Sequence, residues 1–372
     1  MSRTYNVIDA DGHVLEPLDL WERYIDPAFR DRAPRCHIDG RGNEHMIFEG
    51  RMFPGGNRGL GLSGGVGTGK HHQRPPIEMK YYEGRKGGFD PHARIADLDL
   101  DGIDAVFLYP TLALNAGSIE DPPLAVAVCR AYNRWLADFC QPYPDRLFGA
   151  AQLPMQSVEL AVEEMRFARE QLGMRSGFVR PNRYHGRALD DPAYDPLWAE
   201  AQELDFAIGL HEGIGGMPAV GADRFNNVGA RHIVCHTMEM MVASLSLIWG
   251  GVCERFPKVR FAFLESGGGW MAAWLDRMDR HFDESKVWGP PVRTKPSDIF
   301  RRQCWISFEP IEGTIASMAE YLGPNKILWA TDYPHIDGFF PGAPAMIADK
   351  LPQSIRRQVM AEGAMEFYGL QV

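Results

Sequence analysis

Short apolar runs alternate with longer amphipathic stretches along most of this chain, a rhythm that predicts repeated β/α units in a parallel sheet. Eight runs read as strands: 6–9, 105–109, 148–153, 177–180, 207–211, 259–264, 304–308 and 327–330. Eight is the number that closes a (β/α)8 TIM barrel. Between them, 157–172 places Leu160, Ala161, Met165 and Ala168 on one helical face, and 194–204 does the same with Leu197, Ala201 and Leu204. These are read as crossover helices. The expected fold is α/β, a TIM barrel forming one domain over residues 1–372 with loop insertions on its catalytic face.

Residues 42–88 break the rhythm. Gly55, Gly56, Gly59, Gly61, Gly64, Gly65, Gly67 and Gly69 crowd there beside basic and polar residues, and the segment reads as a long insertion without a strand. Its glycine spacing fits neither a phosphate-binding P-loop nor a dinucleotide fingerprint. An active-site flap and a plain surface loop both remain open. His71 and His72 lie in this segment and are expected in solvent unless such a flap closes. A second insertion, 213–231, follows the fifth strand, which in a barrel puts it on the catalytic face.

Composition narrows the function classes. The 372 residues are 45% hydrophobic, enough for a sizeable core, and the formal net charge of −10 argues against an extended nucleic-acid surface. A small molecule is the expected partner. The six cysteines stand singly, which supports neither a zinc knuckle nor a disulfide framework and fits reduced thiols in the cytoplasm. No apolar run is read as reaching the roughly 18 residues that span a bilayer, and no signal peptide is seen, so no membrane partner is expected. The apolar stretch 245–249 suits a homodimer contact.

The chemistry gathers at strand ends. Asp11 and His13 close the first run, and in extended backbone they point to the same side. Alone, such a pair is either a metal site or an acid hydrogen-bonded to an imidazole. The fifth run delivers His211 and the last delivers Asp332. Two imidazoles and two carboxylates can then converge on one divalent ion, and a mixed nitrogen and oxygen set suits zinc or manganese, with iron also possible, and disfavours calcium.

Six segments carry a family resemblance through nearly the whole chain: Ile8-Asp9-Ala10-Asp11-Gly12-His13, Asp90-Pro91-His92-Ala93-Arg94-Ile95, Leu153-Pro154-Met155-Gln156, residues 250–258, Gly267-Gly268-Gly269 and Thr331-Asp332-Tyr333-Pro334-His335. With them the sequence resembles the amidohydrolase-related proteins that include aminocarboxymuconate semialdehyde decarboxylase and the resorcylate-type aromatic decarboxylases. The resemblance implies that Asp11, His13, His211 and Asp332 are metal ligands and that Asp332 also handles a proton. It implies decarboxylation of an aromatic or conjugated unsaturated carboxylic acid.

Two departures matter. Those decarboxylases commonly carry two histidines, or glutamate and histidine, where this chain has Asp11 and His13. Two ionised acids in the set make a bound water less acidic and favour harder metals. The second departure is Glu265, which stands before the glycines where those decarboxylases usually place a histidine. Glu265 reads either as a general base or as an anchor for the free nitrogen of a metal-bound histidine. As a base it would support the alternative of metal-dependent hydrolysis of an amide, lactone or carbon–carbon bond.

Arg94 matches the family arginine that grips a substrate carboxylate; the alternative is an ion pair with Asp97 or Asp101 on its own helix. His236 and His335 read as either pocket residues in contact with substrate or packing residues. The methionines at 238, 240 and 241 read as helix packing.

Overall fold

The strands in chain order are β1 (Ile8–His13), β2 (Arg35–Ile38), β3 (Glu44–Phe48), β4 (Arg51–Phe53), β5 (Ala105–Tyr109), β6 (Leu147–Gln152), β7 (Ser176–Val179), β8 (Ala207–Leu210), β9 (Phe261–Phe263), β10 (Cys304–Phe308) and β11 (Ile327–Trp329). The computed structural model describes residues 4–55, 58–61, 63–64, 79–289 and 291–370. Eight strands form one parallel sheet in the order β1-β5-β6-β7-β8-β9-β10-β11. It closes on itself where the Asp332 amide donates to the Asp11 carbonyl at 3.2 Å and the His13 amide donates to the Tyr333 carbonyl at 2.7 Å. The fold is the expected (β/α)8 barrel.

The strands read as continuous apolar runs because a barrel buries both faces of its sheet. Every residue of β5 is buried, and Phe107, Tyr109, Phe178 and Trp305 belong to the cluster that fills the interior. Tyr368, from the helix Gly363–Tyr368, stacks on Phe107, and its hydroxyl donates to the Ala10 carbonyl at 2.6 Å. The crossover helices begin where local chemistry dictates. Ser157 accepts a hydrogen bond from the Leu160 amide and starts the helix Val158–Glu170, a cap whose loss costs about 1 kcal/mol. Ala161, Met165 and Ala168 form its buried face.

Three expectations need correction. Residues 42–88 do contain strands, for β3 and β4 join β2 in an antiparallel sheet. Met46 and Phe48 alternate into the core, Phe48 meets Trp21 edge to face, and the two-residue turn Glu49-Gly50 has positive φ at both positions. The glycine-rich middle of that segment, with His71 and His72, lies largely outside the described residues. The second insertion ends earlier than expected, because a helix starts at Val228 and runs to Ile248. Finally, the helical stretch Val228–Arg255 is long and apolar enough to cross a membrane by length and composition. Its first helix nonetheless buries Cys235, His236, Glu239 and Met240, while Met238 is exposed.

Candidate metal centre

The first ligand pair rests on a distortion of β1. Asp9 pairs with Val106 and Gly12 with Leu108, so Ala10 and Asp11 together face Phe107 as a β-bulge. Bulges re-aim side chains beside active sites. A Cβ on Gly12 would lie 2.7 Å from both Arg94 Nη2 and Val106 Cγ2, so glycine alone admits the arginine. The fully buried Arg94 donates from Nη1 to the His13 carbonyl at 2.8 Å and from Nη2 to the Tyr333 carbonyl at 3.4 Å, with its guanidinium 4.4 Å from the Tyr333 ring centre. Asp9 accepts from the Thr331 amide at 3.0 Å and from its hydroxyl at 2.5 Å. Arg94 and Asp9 thus tie β1 to the end of β11.

Asp11, His13 and His211 bring one ligand atom each within 4.8 Å of one another, and His13, Asp332 and His335 do the same. His13 Nε2 is 3.1 Å from His211 Nε2, 3.5 Å from Asp11 Oδ1 and 3.3 Å from Asp332 Oδ1. His211 Nε2 is 3.5 Å from Asp11 Oδ2. Both imidazoles are fixed from behind: His13 Nδ1 donates to the Pro110 carbonyl at 2.8 Å and His211 Nδ1 to the Glu212 carbonyl at 2.6 Å. A carbonyl only accepts, so each Nδ1 carries the hydrogen and each Nε2 is presented inward.

Asp332 Oδ1 also meets His335 Nδ1 at 2.7 Å. The Thr111 hydroxyl donates to the Val14 carbonyl at 2.7 Å, so its oxygen accepts from His335 Nε2 at 2.8 Å. His335 therefore shares a proton with Asp332 through Nδ1, and its ring lies against His13 at 4.0 Å.

Glu265 sits two residues past β9, with Oε2 2.9 Å from His211 Nε2. Its Oε1 faces His236 Nε2 at 3.7 Å and His232 Nε2 at 3.8 Å. Glu265 and Asp332 both hold positive φ, 45° and 52°, a left-handed backbone that costs a non-glycine residue about 1–3 kcal/mol and gathers at functional sites.

The amidohydrolase family model matches residues 8–370. The chain belongs to the amidohydrolase family. It is 26% identical over 284 residues to 2-amino-3-carboxymuconate-6-semialdehyde decarboxylase of Dictyostelium discoideum, covering 76% of this chain and 77% of that protein. It is 27% identical over 267 residues to gamma-resorcylate decarboxylase of Rhodococcus jostii (strain RHA1), covering 64% and 78%. Its fold matches a dihydroxybenzoic acid decarboxylase from Polaromonas sp. JS666, solved with bound manganese and the inhibitor 2-nitroresorcinol, with a TM-score of 0.66 at 18% identity over 99% of this chain and 98% of that one.

The residues of this amidohydrolase fit a divalent ion. Asp11 Oδ1 is buried without a hydrogen-bond partner. Burial raises the Asp11 carboxyl to about 7, with Glu265 and Asp9 adding and His211 opposing. Burial pushes His211 down, yet Asp11 and Glu265 outweigh it and bring the ring to about 10. Such a cluster holds protons that a dication displaces. Burial also acts to raise Glu265, but His211 and His236 hold its carboxyl well below the usual range.

A cavity of about 400 Å³ opens beside the cluster, and its walls include Thr111, His232, His236, Glu265, His335 and Asp337. His236 and His335 both line this cavity. Arg94 lies elsewhere: it is buried behind β1, its guanidinium bonds to main-chain carbonyls, and Asp97 pairs instead with Arg85 at 2.6 Å and with the Tyr333 hydroxyl. Neither the substrate grip nor the helix ion pair describes its contacts. Glu265 also departs from the anchoring reading, because the free nitrogen of His211 is already taken by Glu212. His232 was missed altogether, although its four-residue spacing from His236 puts both on one helical face.

Proposed function

We propose that this amidohydrolase is a metal-dependent decarboxylase of an aromatic or conjugated unsaturated carboxylic acid. The observation that carries this reading is the convergence of inward-facing His13 and His211 Nε2 with Asp11 and Asp332 at the carboxyl ends of barrel strands, below an open cavity. The similarity to two decarboxylases supports it. Zinc or manganese suits the donor set, and iron is compatible.

Asp11, His13, His211 and Asp332 would hold a divalent ion, which would supply positive charge for anionic oxygens of the substrate. His335 Nδ1 faces Asp332 Oδ1 at 2.7 Å, and His335 lines the pocket wall, so this pair is placed to hold and pass a proton. Loss of carbon dioxide leaves the bond's electron pair on the substrate carbon, and that carbon takes the proton. The net change consumes one proton and releases one carbon dioxide.

Hydrolysis is the second reading, because Glu265 Oε2 stands beside a ligand nitrogen. The similarity to two decarboxylases ranks this reading lower. Metal-loaded protein incubated with aromatic and unsaturated acids, and in parallel with lactones and amides, separates the two. Metal-dependent carbon dioxide release is expected; hydrolysis without it overturns the proposal.

The proposal takes residues 1–372 as one cytoplasmic barrel domain with 42–88 as its insertion. It also takes the face carrying Leu245 and Trp249, which with Trp274 and Trp288 lines a cavity of about 300 Å³, as a homodimer contact. Light scattering of the purified protein tests the dimer.

A further inference from the structure

His232, His236 and Glu265 form a third cluster whose ligand atoms lie within 4.8 Å of one another, apart from the four residues assigned to the first ion. The two histidines are one turn apart on the helix Val228–Ile248, with ring centres 4.0 Å apart. Both direct Nε2 at the same oxygen, Glu265 Oε1, at 3.8 and 3.7 Å. Those distances exceed a hydrogen bond. They suit two ligands of one ion, since ligands about 2.1 Å from a metal across a tetrahedral angle lie about 3.4 Å apart.

The hydrogen-bond geometry points the same way. His236 Nδ1 donates to the His232 carbonyl at 3.2 Å, which leaves Nε2 as the ring atom turned toward Glu265 Oε1. Asp337 Oδ2 stands 3.5 Å from His232 Nε2 and offers a fourth donor. All four residues line the cavity.

The geometry points to a second divalent-metal site formed by His232, His236, Glu265 and Asp337, with the Glu265 carboxylate bridging it to the first. Oε2 of that carboxylate faces His211 while Oε1 faces the histidine pair, so one side chain serves both clusters. The bridge rests on the first ion being present; the histidine pair and Asp337 do not. Two nitrogen and two oxygen donors suit manganese or zinc. An ion there is reachable from the cavity in which the substrate binds.

Equilibrium dialysis of the apo full-length protein against manganese alone, read by elemental analysis and electron paramagnetic resonance, tests this. Two manganese ions per chain with a spin-coupled spectrum are expected. The single variants His232→Ala and His236→Gln, checked for native circular dichroism, are each expected to bind one ion with an uncoupled spectrum. His232 is partly exposed, so its replacement spares the core. Saturation of the wild type at one manganese ion overturns the second site and leaves the decarboxylase proposal intact. Two ions retained in both variants also overturns it. Absence of any stoichiometric metal sinks the first site as well.

Discussion

Glu265 directs Oε2 at the Nε2 of His211, 2.9 Å away, and not at the ring's other nitrogen, whose hydrogen goes to the Glu212 carbonyl. The carboxylate therefore belongs to the inner face of the cluster. Glu265→Gln keeps the shape and removes the charge. Turnover is expected to fall about 10- to 100-fold, because the charge facing His211 is lost, while the ion held by Asp11, His13, His211 and Asp332 stays bound. Wild-type turnover in this variant, measured under saturating metal, would show that the charge is not used.

Asp332 faces His13 on one side and shares a proton with His335 on the other. Asp332→Asn removes both a ligand charge and that proton. A loss of about 10³-fold or more in kcat is expected, with reduced metal content. His335→Gln is the milder probe, expected to lower kcat while metal content holds. Metal loss equal to that of Asp332→Asn would instead make His335 a support for the ion.

Arg94 fastens the carbonyls of His13 and Tyr333 from beneath the site. Arg94→Lys keeps one positive charge and loses the two-armed contact, leaving a buried carbonyl unpaired at a cost of about 1–3 kcal/mol. A lower Tm and about 10- to 100-fold weaker metal binding are expected, with a smaller effect on KM. A large rise in KM at unchanged Tm would restore the substrate-gripping role.

Metal binding must expel protons from Asp11 and His211, which sit near 7 and 10. Both are raised above their ordinary values, so protons compete increasingly as the pH falls. Apparent affinity should drop from about pH 9 to about pH 6, more steeply below about 7, where Asp11 also takes up its proton. Chelation should abolish turnover and manganese should restore it. A pH-independent affinity, measured by competition with a chelator whose own titration is known, contradicts the cluster.

The barrel and the residues gathered at its mouth were legible because each ligand follows an apolar run, and a buried parallel strand is written as such a run. What escaped depended on distant partners. Arg94 has its place because Gly12, far away in sequence, lacks a Cβ. The nitrogen that Glu265 reaches is set by a backbone φ of 45°, which residue type does not reveal. The β3–β4 hairpin hid behind a Glu49-Gly50 turn lacking the usual asparagine or aspartate. His232 was different, for its four-residue spacing from His236 is plain in the sequence.

The left-handed backbone at Glu265 and Asp332 carries a consequence for anyone seeking a hardier protein. These are positions where glycine or asparagine would sit more comfortably. A screen that rewards heat resistance alone would be drawn to them and would return robust, inert barrels. Selection for turnover must keep pulling the other way, so two acids that the local backbone disfavours record how much chemistry this chain is made to do.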